Sequence, residues 1–414
     1  MINFDFDKDC CGCTACMNSC NHDAISMIEN SEGFLMPFVD KEKCVDCGLC
    51  DKACPHLNTS YDCSSFSLGS FSQKNAYLYF SNKAERINSA SGGFVYDAYR
   101  KVLSENGYIC GCVWNDNMEA VHIITDNDDN LHALQSSKYV QSNPQDSYKK
   151  IKQFLREGKK VAFCGTPCQT AGLNTYLANV NKDNLISISL ICHGIASPGV
   201  WKKWVKIMEA KYHGKLVDVN MRDKSYEGYS TTYCKYTFVD DEMRMSSVDS
   251  GNKKVKFVGR PSYLADPYVF LFTDNLFLRH SCTHCQYKAD QNGADIIVGD
   301  YFKSISEAGN DGCSCLFAMT TKGIDFIKSL DGTLMESDYK TIGSVNSMLW
   351  KSVGEHPRRK EFFNMYHCCQ DTHKENQFID FLPFRFHVKR ILHQMGVFNY
   401  WLMVKRKMQR KCHK

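Results

Sequence analysis

The sequence has no long apolar run, no marked excess of one charge and no leader-like N-terminus, and each absence removes a class of protein. Its longest apolar stretches, such as LISISLIC at 185–192, fall well short of the roughly 20 residues a membrane-spanning helix needs. Fifty basic and 46 acidic side chains leave a formal charge of +4, too near balance for net charge to argue for nucleic acid or a membrane surface as partner. Any basic patch must be local. The start, MINFDFDKDC, has no apolar core preceded by basic residues, so no export is expected and the chain reads as cytoplasmic. What is abundant is cysteine: 23 in 414 residues. In a reducing cytosol, disulfides give way to free or metal-bound thiols as the explanation.

A chain of 414 residues, 43% hydrophobic, buries at least one large core and by length favours two or three domains. Residues 1–57 carry two cysteine runs offset by 34 positions, with AISMIENSEGFLMPFVD between them reading as two short strands about a Ser-Glu-Gly turn. Residues 58–75 are Ser-rich and lack apolar periodicity, as a linker does. From 76 onward strands and helices alternate: AYLYF, a helix from about SASGG to Asn106, YICGCVW, AVHIIT, a helix near 145–157, KVAFCG, a helix after TPCQ, and LISISLIC. That alternation predicts an α/β domain over 76–383. Segments between about 216 and 258 read as antiparallel strands, so the sheet is expected to be mixed or to carry an insertion. The remainder, 384–414, reads as a basic amphipathic tail.

Cys10, Cys13, Cys16 and Cys20 follow C-x2-C-x2-C-x3-C, and Cys44, Cys47, Cys50 and Cys54 repeat it, with Pro55 completing the second copy. This is the bacterial ferredoxin spacing, in which three close thiolates wrap one face of a four-iron cluster and the fourth ligand belongs to the other cluster. Cys10, Cys13, Cys16 and Cys54 are therefore expected on one 4Fe-4S cluster, and Cys44, Cys47, Cys50 and Cys20 on a second. Zinc has no use for this spacing. The first copy departs in having Asn21 in place of the proline, and in a surplus thiol, Cys11, read as a packed bystander.

Four further cysteines occupy informative places: Cys168 in FCGTPCQ, Cys192 in LICHG, and Cys282 and Cys285 in SCTHC. Strand ends of an α/β sheet are where ligands gather, so these loops can meet in a four-thiolate site. Spacing alone leaves buried structural cysteines as an equal alternative, and Cys164 is read as one of them. SASGGF (89–94), SSKYVQS (136–142) and GTPC (165–168) have the small, polar or basic residues of anion- and nucleotide-binding turns. Each of them also suits an ordinary turn.

In order, the paired ferredoxin runs, SASGGF, SKYVQS, FCGTPCQTAGL, LICHGIASPGVWKKW, NMRDKS, LRHSCTHCQYK, ADIIVGDYF and GEHPRRKEFF resemble the coenzyme F-420 hydrogenase/dehydrogenase beta-subunit family, with a dicluster ferredoxin domain in front. The resemblance runs over roughly 8–365. It implies an α+β ferredoxin-like dicluster domain followed by a larger α/β flavin-binding domain, binding FAD beside a third 4Fe-4S cluster. It implies Cys168, Cys192, Cys282 and Cys285 as that cluster's ligands, and Ser91, Gly92, Gly93, Lys138, Tyr139, Gln141, Ser142, Gly165 and Thr166 as flavin contacts. Lys224 and Asp300 also stand at motif positions, where an ion pair or a cap explains them equally well. No catalytic residue is singled out.

The function so implied is an iron-sulfur flavoprotein oxidoreductase relaying electrons between 4Fe-4S clusters and FAD. Hydride would pass to or from a small substrate such as reduced F-420 or an intermediate of polysaccharide biosynthesis. The alternative is a non-catalytic electron-transfer subunit docked to a partner enzyme. Expected partners are a redox donor or acceptor such as ferredoxin or F-420, and no nucleic acid. In the tail, Lys405, Arg406, Lys407, Arg410 and Lys411 beside Phe398, Trp401, Leu402 and Val404 suit either the inner membrane face, a partner protein, or packing on the chain's own domain.

Overall fold

A computed structural model describes residues 4–58, 75–240, 255–261, 265–368 and 375–395. The linker expected at 58–75 falls almost wholly outside them, as does the tail from 396 on, with all of its basic cluster. Thirteen strands form three sheets among the described residues. They are β1 (Ile25–Glu29), β2 (Leu35–Val39), β3 (Ala76–Ser81), β4 (Tyr108–Trp114), β5 (Ala120–Thr125), β6 (Val161–Gly165), β7 (Leu185–Leu190), β8 (Gly214–Asp223), β9 (Tyr233–Asp240), β10 (Val255–Pro261), β11 (Ile296–Asp300), β12 (Ser314–Ala318) and β13 (Gly332–Ser337).

The main sheet has the order β13-β3-β12-β11-β7-β6-β4-β5. Its centre, β11, β7, β6 and β4, is parallel, and the strands outside it are antiparallel. The centre reads as continuous apolar runs because both faces are covered. Alternate residues serve opposite layers: Ala162 packs with Phe94 and Tyr99, whereas Val161 and Phe163 pack with Tyr148, Ile151 and Leu173. The segment 214–261 is not part of this sheet. β8, β9 and β10 pair antiparallel as a separate three-stranded sheet, packed on the aromatic cluster around Trp201, Trp204 and Tyr268. Of the two alternatives expected for that region it is the insertion that is found; the main sheet is mixed through its own antiparallel pairs.

The N-terminal module is a two-fold repeat in backbone as well as in sequence. Each cysteine loop turns through left-handed residues at matching positions, Gly12 and Thr14 in one and Asp46 and Gly48 in the other, and each runs into a five-residue helix, Ala15–Ser19 and Leu49–Ala53. β1 and β2 form the antiparallel pair between them.

This module is docked on the large domain rather than tethered beside it. Buried Arg279 donates through Nε to the Cys10 carbonyl at 2.6 Å and through its terminal nitrogens to the Leu35 carbonyl at 3.2 and 3.3 Å. Ser281 adds a hydroxyl to the Cys10 carbonyl at 3.1 Å, Thr175 donates to the Ala53 carbonyl at 2.6 Å, and Arg359 pairs with Glu32 through both terminal nitrogens. Helix Pro167–Tyr176 meets the first cysteine loop through Gly172. A Cβ there would lie 2.8 Å from the Cys13 sulfur and 3.0 Å from its Cβ, too close without displacement. Gly172→Ala is therefore expected to lower thermal stability by the ~1–3 kcal/mol of an overpacked core site, read as a reduced Tm of the reconstituted chain. An unchanged Tm would contradict this docking.

Candidate functional site

Two groups of thiols line the N-terminal module. Cys20, Cys44, Cys47 and Cys50 line one cavity, with Ile25, Val39 and Val45 as apolar wall. Cys10, Cys13, Cys16 and Cys54 are electrostatic neighbours of one another. The fourth cysteine of each run thus lies with the other run's three. Burial first, then Cys10 and Cys54, disfavours ionisation of Cys16. Thiols so crowded ionise together only when cations take up their charge, so the donor set fits an iron-sulfur cluster.

The loops after β6 and β7 and the turn His280–His284 meet on the large domain. Cys168, Cys192, Cys282 and Cys285 line one cavity together with Cys11, His56, Asp9 and Tyr287. Burial pushes Cys192 up to about 12, with Cys168 and Cys285 adding to it and Lys288 opposing it. Lys288, itself buried, donates Nζ to the carbonyls of Cys192 and Met348. Arg279 acts on Cys168 from the module side. Two buried cations beside four thiols suit an anionic group. Among the described residues no three His, Cys, Asp or Glu side chains gather as a single metal ion requires; a four-iron cluster attaches its ligands to four different irons.

Cys11 is at the boundary of these groups. Its thiol is an electrostatic neighbour of those of Cys13 and Cys168, and it packs against the apolar cluster that joins Cys13 and Ala15 of the module to Tyr148 and Leu173 of the large domain. Tyr287 is beside it. Burial, then Cys11, Cys13, Cys168 and Cys54, pushes the phenol's pKa up, which keeps it protonated.

A larger cavity, about 680 Å³, opens along the carboxyl ends of the parallel strands, where ligands of open α/β sheets bind. Cys192, His193, Gly194 and Ile195 line both this cavity and the four-thiol one. Of the nine residues singled out for a cofactor, Ser91, Gly93, Lys138, Tyr139, Ser142, Gly165 and Thr166 line it. Gly92 and Gln141 do not. A Cβ on Gly92 would lie 2.3 Å from the Tyr79 carbonyl oxygen, so that glycine admits the turn against β3. Gln141 accepts from the Leu35 N–H at 3.0 Å and donates to its carbonyl at 3.3 Å, so it serves module docking. Lys224 is buried away from the cavity on the carbonyls of Arg86, Ser91 and Asp311, and Asp300 lines the cavity paired with Arg222 at 3.3 Å.

The wall also holds residues that spacing did not mark. Gln169 accepts from the Thr166 N–H at 3.0 Å and donates to the Ser142 hydroxyl at 2.9 Å, and His122 Nε2 is 3.2 Å from that hydroxyl. Among the described residues His122 Nδ1 is buried without a hydrogen-bond partner. Burial, with Lys138 second, holds His122 down to about 3, so its ring is neutral. A polar side chain in the apolar run AVHIIT was the available signal for His122. Cys164 and Cys112 line the same wall; burial pushes Cys164 up to about 12, so it is a neutral thiol.

Residues 158–340 match the family described as the C terminus of the coenzyme F420 hydrogenase/dehydrogenase beta subunit, and residues 9–58 match a 4Fe-4S dicluster domain. No curated protein matches the sequence. A chain from a xenon-derivatized structure of the F420-reducing NiFe hydrogenase complex of Methanosarcina barkeri is 15% identical, with a TM-score of 0.42 over 73% of this chain and 96% of that one. Among the described residues no helix is long and apolar enough to cross a membrane. The two matches fall on the two cysteine-bearing parts of the fold: residues 158–340 are similar to the C terminus of the coenzyme F420 hydrogenase/dehydrogenase beta subunit, and residues 9–58 to a 4Fe-4S dicluster domain.

Proposed function

We propose that the chain is an iron-sulfur flavoprotein oxidoreductase that relays electrons between three 4Fe-4S clusters and FAD, with hydride transfer to or from a small substrate such as reduced F-420 or an intermediate of polysaccharide biosynthesis. Two clusters are assigned to the dicluster domain, on Cys10, Cys13, Cys16 and Cys54 and on Cys44, Cys47, Cys50 and Cys20. The third is assigned to Cys168, Cys192, Cys282 and Cys285, and FAD to the cavity of about 680 Å³. The observation that carries this reading is the common wall, Cys192 to Ile195, between the four-thiol cavity and the larger one. A flavin exchanges single electrons with a cluster and a hydride with an organic substrate, which joins the two kinds of chemistry.

The chain's own residues would bind and orient that cofactor. Gly93 precedes the eleven-residue helix Phe94–Ser104, whose start offers N–H groups to phosphate; Gly165 and Thr166 precede Pro167–Tyr176, where Gln169 and Thr166 cap each other's N–H and the two residues serve as cavity wall. Lys138, whose Nζ is held by the Ala133 and Gln135 carbonyls at 2.8 and 2.9 Å, adds positive charge. Tyr139, stacked on Phe272 with centroids 4.6 Å apart, gives an aromatic wall. His122 Nδ1, without a hydrogen-bond partner among the described residues, is available to a polar edge of a ring system.

A second reading, an electron-transfer subunit passing electrons to a partner enzyme, is favoured by one observation. Cys47 is exposed, and Val45 and Leu49 beside it are exposed apolar side chains. Such a face suits a protein redox partner, ferredoxin included.

Anaerobic reconstitution separates the readings: about twelve irons per chain from three four-iron clusters, one flavin, and turnover with reduced F-420 or reduced ferredoxin are expected. Eight irons would remove the third cluster, and a chain that binds no flavin would leave only the second reading. Cys168→Ser is expected to lower iron by about a third with the dicluster signals intact; unchanged iron would remove Cys168 as a ligand. His122 gives a pH prediction. The unfolded imidazole takes up a proton near its ordinary 6.5 that the folded one refuses until about 3, so its contribution to stability is present above 6.5 and is lost as pH falls toward 3. His122→Asn should flatten that part of the stability profile, and an unaltered acid limb would contradict the assignment of a buried neutral imidazole.

A further inference from the structure

A second cavity, of about 390 Å³, adjoins the large one, and Arg222 and Phe302 line both. Arg222 is 3% exposed. Toward the large cavity its guanidinium lies 3.3 Å from the Tyr139 hydroxyl, the Ala90 carbonyl and the Asp300 carboxylate, and the Tyr229 ring packs on it with the centroid 5.4 Å away. Exposed Lys303 stands in the wall of the second cavity, as do Ser230, Thr231, Thr232 and Ser304. Among the described residues no Asp or Glu lines it. The backbone oxygens of that wall are already engaged. Buried Arg86 donates to the carbonyls of Ala308 and Gly312, buried Lys224 to that of Asp311, and the Tyr229 N–H to that of Asn310 at 2.6 Å. The Asn310 side chain ties the facing turn, donating to the Glu227 carbonyl at 2.8 Å and accepting from the Ser230 N–H at 3.1 Å.

The second cavity thus has a buried cation in its floor, a lysine and hydroxyl-bearing residues in its wall, carbonyls turned elsewhere and no carboxylate of its own. We propose that it binds the phosphate or carboxylate group of a small molecule, at a position from which the remainder of that molecule can enter the large cavity past Arg222. A guanidinium matches either oxyanion through paired N–H groups, and a charge away from bulk water attracts an anion more strongly than an exposed one does. Hydroxyls add donors without adding charge. In the function proposed above the molecule is the substrate, with its anionic end held here and its reacting end at the flavin. That role rests on the FAD reading of the preceding section; the anion site does not.

The test is a calorimetric titration of pyrophosphate, and separately of glutarate, into the full reconstituted chain saturated with FAD, so that phosphate positions in the large cavity are filled. Saturable binding at one site per chain is expected for at least one of the two anions. Binding should weaken about tenfold or more in Arg222→Gln and in Lys303→Glu. Lys303→Glu changes an exposed side chain and should keep wild-type iron and flavin content, so it decides the matter if Arg222→Gln does not fold. Saturation by pyrophosphate alone assigns a phosphate-bearing ligand and saturation by glutarate alone a carboxylate-bearing one; either supports the site. A chain that retains no FAD yet binds the anion in a Lys303-dependent way also supports the site and removes only the FAD reading. Absence of saturable binding of both anions, or binding that the two substitutions leave unchanged, would overturn the proposal.

Discussion

The buried guanidinium of Arg279 is the contact on which the arrangement of thiols depends. It is wholly inaccessible, and the oxygens it donates to, the carbonyls of Cys10 and Leu35, both belong to the N-terminal module; the Phe34 ring lies against it with the centroid 5.4 Å away. A hydrogen bond from a charged donor contributes roughly 1.5–3 kcal/mol, and a buried cation stripped of acceptors costs more than that. The guanidinium therefore holds the first cysteine loop at one height over the large domain. Gly12 allows it: a Cβ there would lie 2.9 Å from an Arg279 nitrogen and 2.2 Å from the Gln141 amide. With the loop fixed, Cys13 rests on Gly172 and Cys11 reaches Cys168.

The rest follows from topology. A parallel centre puts the ends of β6 and β7 side by side, so GTPC and CHG open at the carboxyl end of the sheet although they are far apart in sequence. The turn 280–285 continues from Arg279 itself, which couples the docking contact to Cys282 and Cys285 through a few residues of chain. Beyond Cys192 the same loop becomes wall of the large cavity. Thiols and cavity thus form a series: the outer set near exposed Cys47, the inner set against Gly172, the four of the large domain, and the space along the strand ends. The order is geometric; the iron-sulfur character of its first part is that of the dicluster domain.

Much of this is legible in the sequence because it is local. The x2-x2-x3 spacing is a property of one loop, and its repetition after 34 residues carries the two-fold module, down to matching left-handed residues. The strands 76–80, 108–114, 120–125, 161–165 and 185–190 are apolar runs bounded by turn residues, which need no partner to be recognised. What pattern could not supply is what two distant segments do to each other. Gln141 stands in a motif suited to a nucleotide yet spends its amide on Leu35, because module docking brings β2 to it. Cys11 reads as a bystander from its own loop and acquires neighbours only when Cys168 arrives from the other domain. The antiparallel segment 214–261 is visible as strands, but whether they extend the main sheet or stand apart depends on edge pairing, which alternation does not encode. His122 is similar: its partnerless nitrogen has meaning only beside a cavity.

The central claim is that the thiol sets form one continuous series across the module boundary, close enough for clusters on them to sense one another. EPR of the fully reduced, reconstituted chain tests it most directly, since neighbouring paramagnetic centres couple magnetically. The account predicts a broadened, interacting spectrum that simplifies when Cys168, Cys192, Cys282 or Cys285 is replaced. A spectrum equal to the sum of isolated cluster signals, unaltered by those replacements, would contradict it.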